Sequence, residues 1–136
     1  MTGLDADDEL PTLTFELARD LGEFPEFDLH FDEDELADYH RIVGSTPTEV
    51  LPPGIAAIFG RLGYLRKHAM PGGGVLLGQE ITWLAPASAS RPLRIKSVVE
   101  SAVEDDRGRR QIVFVTTARQ DDTHVATVRI KAGWPS

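Results

Sequence analysis

The stretch "TEVLPPGIAAIFGRLGYLRKHAMPGGG", residues 48–74, decides the fold. Pro52, Pro53 and Gly54 open it, and Pro71 with Gly72, Gly73 and Gly74 close it. Between them Ile55, Ile58, Phe59, Leu62 and Leu65 recur at helical spacing. Pro53 suits a first turn, where its missing N–H has no partner to lose. Ala56, Ala57, Gly60 and Gly63 fill most of the rest, so a helix over about residues 53–69 is apolar nearly all round. Such a helix is buried rather than laid on a surface. Glycine in a helix interior costs about 1 kcal/mol against alanine. Gly60 and Gly63 therefore predict close approach by another backbone.

Working outward, "DEDELADYHRIVG" (32–44) reads as a second helix. Asp32 is its N-cap, Glu35 completes a capping box three residues on, and Gly44 is its C-cap. Leu36, Tyr39, Ile42 and Val43 fall on one face. "FDLHF" (27–31) alternates as a strand does, while "LTFELARDLG" (13–22) fits a short strand or a helical turn equally. After the long helix come "GVLLGQEITWL" (74–84), "LRIKSVVESAVED" (93–105), "RQIVFVTTARQ" (110–120) and "VATVRIKAGW" (125–134). "DDRGR" (105–109) is a hairpin signal between two of them. The expected class is α+β: a curved, mostly antiparallel sheet wrapped around a long central helix.

At 136 residues the chain predicts one domain, over 13–136, behind a flexible acidic tail, 1–12. Residues 1–38 hold 14 acids and one base, a net of −13. Residues 39–136 hold 8 acids and 13 bases, a net of +5, and the two give the total of −8. An acidic total argues against nucleic-acid binding. The acidic start "MTGLDADDEL" does not read as a leader, no apolar run is long enough to span a membrane, and a cytoplasmic location is expected. With no cysteine and no two histidines at ligand spacing, neither thiolate chemistry nor a metal is expected.

Four segments, taken in order, resemble the hot-dog fold and, within it, the MaoC-like hydratase/dehydratase family. They are "ADYHRIVGSTP" (37–47), "VLPPGIAAIFGRLGYL" (50–65), "LGQEITWLAPASASRPLRI" (77–95) and "IVFVTTARQDDTHVATVRI" (112–130). The resemblance covers about residues 25–134. It implies a protein that handles 2-enoyl thioesters of coenzyme A or a carrier protein, adding or removing water. In that family an Asp and a His in a loop like G-D-x-N-P-x-H, just before the central helix, activate the water. The matching loop here is "GSTPTEV" (44–50). Ser45 stands at the Asp position, and Glu49 or Val50 at the His position. Pro53-Gly54 replaces a His-Gly pair, which resembles the non-catalytic N-terminal halves of double-hot-dog members.

The candidate site follows from both readings. The helix head carries partial positive charge and unpaired N–H groups. Gly54 and Ile55 are candidate donors to a thioester oxygen, and Gly54 permits close approach; the same residues serve equally to start a helix. Pro53, Tyr39 and Thr46 join them as expected substrate contacts. Ser45 and Glu49 are the candidate catalytic groups, Glu49 needing burial to act as a base near neutral pH. Arg91, Arg94 and Lys96 are candidate contacts to coenzyme A phosphates. His30, His40, His68 and His124 read as surface or structural, with His40 facing solvent. No resident cofactor is expected. The expected partners are an acyl-CoA or acyl-carrier thioester and a second hot-dog subunit, either another copy or one bearing the dyad. A self-sufficient hydratase, a thioesterase and a purely structural subunit remain alternatives.

Overall fold

A computed structural model describes residues 10–135. Thr14 caps the first helix, α1 (Phe15–Leu21), accepting a hydrogen bond from the Leu17 N–H at 3.1 Å. The short strand β1 (Phe27–Leu29) follows, then α2 (Glu33–Val43). Pro53–Ile55 form one 3-10 turn that runs into the central helix, α3 (Ala56–Leu65). Four longer strands complete the chain: β2 (Val75–Trp83), β3 (Leu93–Glu104), β4 (Arg110–Gln120) and β5 (Thr123–Trp134). The sheet order is β1-β3-β4-β5-β2, and every neighbouring pair is antiparallel. The ambiguous segment near the start is thus helical.

The sheet wraps α3 because alternate strand residues face it. Ile112, Phe114, Thr116 and Ala118 on β4, with Ala126, Val128, Ile130 and Ala132 on β5, form the buried face. Small side chains lie where the helix crosses. A Cβ on Gly60 would lie 2.7 Å from Val128 Cγ1, and one on Gly63 would lie 2.8 Å from Ser97 Cβ. The predicted close approach is real, but what approaches is the side-chain layer of the sheet. Phe114 stacks on Tyr64 of the helix, centroids 3.8 Å apart and rings 4° from parallel.

Three expectations change. The central helix ends at Leu65, four residues before the expected limit at 69. Beyond it the Ala69 N–H donates to the Pro11 carbonyl at 2.8 Å, and the Leu13 N–H to the Ala69 carbonyl at 2.9 Å. These bonds to the N-terminal segment replace helical ones. The expected tail, 1–12, lies mostly outside the described residues, and Thr12 bridges Ala69. The helix is also not covered all round, since Ile58 remains 43% exposed. Finally, α2 turns Leu36, Tyr39 and His40 inward, whereas Ile42 is 78% exposed.

The local signals at α2 hold. Asp32 Oδ1 accepts from the Glu35 N–H at 2.7 Å, Glu35 Oε1 accepts from the Asp32 N–H at 3.2 Å, and Gly44 adopts φ +78°. Asp32→Ala removes the cap, at a cost of about 1 kcal/mol. The expected fall in Tm is roughly 3–6 °C, with Asp32→Asn close to wild type. An unchanged Tm in Asp32→Ala would show that the cap contributes nothing.

Candidate functional site

The head of α3 is built by proline. Pro52 is extended, at φ −66° and ψ 140°, and Pro53 begins the 3-10 turn. Pro53 has no N–H, and the Ile55 N–H donates to the Pro52 carbonyl at 3.0 Å. Ala56 donates within the turn. Of the two expected donors, Ile55 is therefore committed, and the Gly54 N–H has no hydrogen-bond partner among the described residues. Trp83 fixes the turn from β2, its Nε1–H donating to the Pro53 carbonyl at 3.0 Å. Tyr39 reaches over from α2, and its hydroxyl occupies the space that a Cβ on Gly54 would need. Tyr39, Pro53 and Gly54 are thus brought together. Thr46 is exposed in the loop.

The loop before the helix is arranged differently from the family pattern. Ser45 Oγ lies 2.7 Å from Nδ1 of His40, and the Ser45 N–H donates to the His40 carbonyl at 3.0 Å. His40, expected at the surface, is 5% exposed. Glu49 is exposed, and its backbone carbonyl accepts from the Ala89 N–H at 2.8 Å. Glu49 and His40 both line a cleft of about 850 Å3 between α2 and the 47–49 and 88–90 loops. Gly54 does not line that cleft. His40 was missed, yet one signal pointed to it: it follows Leu36 by four residues, and so shares its face.

The three candidate bases are engaged. Arg91 pairs with Asp121 at the β4–β5 turn, and Arg94 with Glu26 at 3.1 Å and Asp28 at 3.2 Å. Hydrogen bonds to Asp28 and then Glu26 hold the Arg94 guanidinium above its usual pKa. Lys96 lies 3.8 Å from Glu23. All are exposed pairs, which contribute little and exchange readily.

A second cavity, of about 320 Å3, runs between α3 and the β2–β5 edge, lined by Ala57, Arg61, Tyr64, Met70, Leu76 and Ile130 among others. Burial raises the Tyr64 pKa and the Arg61 cation opposes it, so its phenol stays neutral and suits an apolar guest. Nearby, β2 is an edge strand with Leu76 60% and Leu77 51% exposed. Among the described residues no three His, Cys, Asp or Glu side chains group as metal ligands, and no helix is long and apolar enough to cross a membrane.

At the level of sequence the chain matches no protein-family model and no curated protein. Solved structures do match. One is the HadBC (3R-hydroxyacyl-ACP dehydratase) complex from Mycobacterium tuberculosis, with a TM-score of 0.64 and 17% identity over 82% of this chain and 92% of that one. Another is the (R)-hydratase of A. caviae involved in PHA biosynthesis, at 0.61 and 16%, over 82% and 93%. A third is the ChsH1-ChsH2 complex from Mycobacterium tuberculosis, at 0.66 and 11%, over 88% and 92%. The chain is a hot-dog-fold protein. All three are under 25% identical to this chain, and the likeness is one of fold.

Proposed function

We propose that this protein binds acyl thioesters of coenzyme A or a carrier protein as the non-catalytic half of an enoyl-thioester hydratase/dehydratase. The observation that carries the reading is the head of α3. It offers one donor, the Gly54 N–H, that has no hydrogen-bond partner among the described residues, and the cleft that holds Glu49 and His40 does not include Gly54. Such a head can polarise a thioester carbonyl but cannot move a proton to or from the acyl chain. The 320 Å3 cavity along the helix supplies apolar room for that chain. The uncovered Ile58 and the exposed apolar edge of β2 call for a cover. A second hot-dog subunit carrying an acid–imidazole pair would complete the site.

One observation favours a second reading, a self-sufficient hydratase or thioesterase: Glu49 and His40 face one cleft. The assay that decides between them uses the purified protein alone with a panel of 2-enoyl-CoAs, following loss of the enoyl absorbance, with Glu49→Ala in parallel. The expected result is no turnover in either protein, with a rise in Tm when acyl-CoA is added. Turnover that vanishes in Glu49→Ala would establish the second reading. Neither turnover nor a Tm shift would remove both.

A further inference from the structure

The 320 Å3 cavity along α3 is not uniformly apolar. Ala57, Arg61 and Tyr64 line it from one face of the helix, and Leu76 and Gln79 line it from β2. Gln79 pairs with Ile130 and Leu76 with Ala132, both on the buried face of β5, so the two point toward the helix. Ile81 and Trp83 continue that row, and Gln79 interrupts it with an amide. Arg61, Tyr64 and Gln79 are the polar side chains of the cavity, and no carboxylate lines it. Arg91, Arg94, Arg110 and Arg129 each hold a carboxylate, whereas Arg61 has no ion pair among the described residues.

Tyr64 is the buried member of the set, 4% exposed, and its hydroxyl has no hydrogen-bond partner among the described residues. Among those residues no fully buried side-chain oxygen lacks a partner, so the hydroxyl opens onto a cavity. The residue borders two, this one and a 20 Å3 pocket beside Arg66 and Lys67. Burial raises the Tyr64 pKa, and the cation that opposes it is Arg61, not Arg66 or Lys67. The hydroxyl therefore lies on the Arg61 side. A guanidinium, a neutral phenol and an amide can all donate, and with no acid to neutralise the cation they suit an oxyanion.

We propose that this cavity holds the free carboxylate of an ω-carboxyl acyl chain, so that the thioester bound at the head of α3 is that of a dicarboxylic acid. The acyl-thioester reading above is its premise. Gly54 precedes Arg61 by seven residues, on nearly the same helix face, which separates them by roughly 10 Å along the axis. An extended eight-carbon chain spans about 8 Å, and the arginine side chain covers the rest. Ala57 lies between them and leaves room for methylenes, which Leu76 and Ile130 cover from the sheet. The carboxylate at the far end accepts from Arg61 and from the Tyr64 hydroxyl.

Calorimetric titration of the full chain with suberyl-CoA and octanoyl-CoA tests this. The two carry the same phosphates and differ only at the far end of the chain. Suberyl-CoA is expected to bind roughly tenfold tighter, as a hydrogen-bonded charge pair gives. Arg61→Gln, at an exposed position, is expected to erase that preference while the free protein keeps its Tm. Tyr64→Phe keeps the ring stacked on Phe114 and is expected to weaken suberyl-CoA alone, roughly threefold. Equal binding of the two thioesters overturns the proposal and leaves the reading beneath it standing. An equal loss for both in Arg61→Gln does the same, since it would put Arg61 on a coenzyme A phosphate. Binding of neither overturns both.

Discussion

Phe114→Ala is expected to destabilise the protein by about 3–5 kcal/mol. Phe114 is fully buried on β4, stacked on Tyr64 at 3.8 Å and tilted against Phe24 at 6.1 Å and Trp134 at 5.7 Å. Those partners come from α3, the segment after α1, and β5. Removing the ring therefore empties the point where helix, N-terminal segment and sheet meet. The loss is large beside the 5–15 kcal/mol typical of a whole domain. Urea denaturation checks it: the midpoint falls while the slope stays constant. Phe114→Leu keeps most of the volume and is expected to lose less. A loss below about 1 kcal/mol in Phe114→Ala would mean that the aromatic cluster is not a keystone of the core.

Gly63→Ala is expected to cost about 2 kcal/mol, although alanine is the better helix former. The helix preference alone favours alanine by about 1 kcal/mol. Against it stands a Cβ placed 2.8 Å from both Ser97 Cβ and Thr116 Oγ1. Thr116 Oγ1 donates to the Gly60 carbonyl at 3.1 Å and pairs with the Ser97 hydroxyl at 3.0 Å. The methyl pushes into that buried hydroxyl pair, adding overpacking of about 1–3 kcal/mol and a strained hydrogen bond of about 1 kcal/mol. Ser97→Gly removes the Cβ in the way and is expected to restore part of the loss in the double variant. Gly72→Ala, with nothing within 4 Å of the added Cβ, serves as control. A Gly63→Ala protein that melts at or above wild type would contradict the tight crossing of helix and sheet.

What could be read from the chain in advance was what neighbouring residues decide. The capping box of α2 lies within four residues, so Asp32 and Glu35 announce it. The β3–β4 turn is equally local, with Asp105 accepting from the Arg107 and Arg109 N–H groups at 2.9 Å and Gly108 at φ +78°. The early end of α3 was hidden because it depends on Pro11 and Leu13, far back in the chain. The inward face of α2 was legible at Leu36 and Tyr39 but not beyond, because Ile42 and Val43 are apolar yet exposed, while His40 gains a partner only after Gly44 turns the chain. The pairing of Arg94 with Glu26 and Asp28 was invisible because it exists only once β1 lies beside β3. At the helix head Tyr39, Pro53 and Gly54 were legible, and the commitment of the Ile55 N–H to Pro52 was not.

The two turns joining β3, β4 and β5 also set a timetable for folding. Gln120 pairs with Thr123 across a two-residue turn, whereas Trp83 must find Ala126 and Phe27 must find Ile95. Closing short loops costs less chain entropy than closing long ones, and local pairings form faster. The three-stranded meander is therefore the natural nucleus, with β1 and β2 added late. Pulse-labelled hydrogen exchange should find β4 amides protected before those of β2; the reverse order would exclude it. During that interval the apolar β2 is an unpaired strand in search of an edge, so the risk of misassembly is concentrated in the last step of folding.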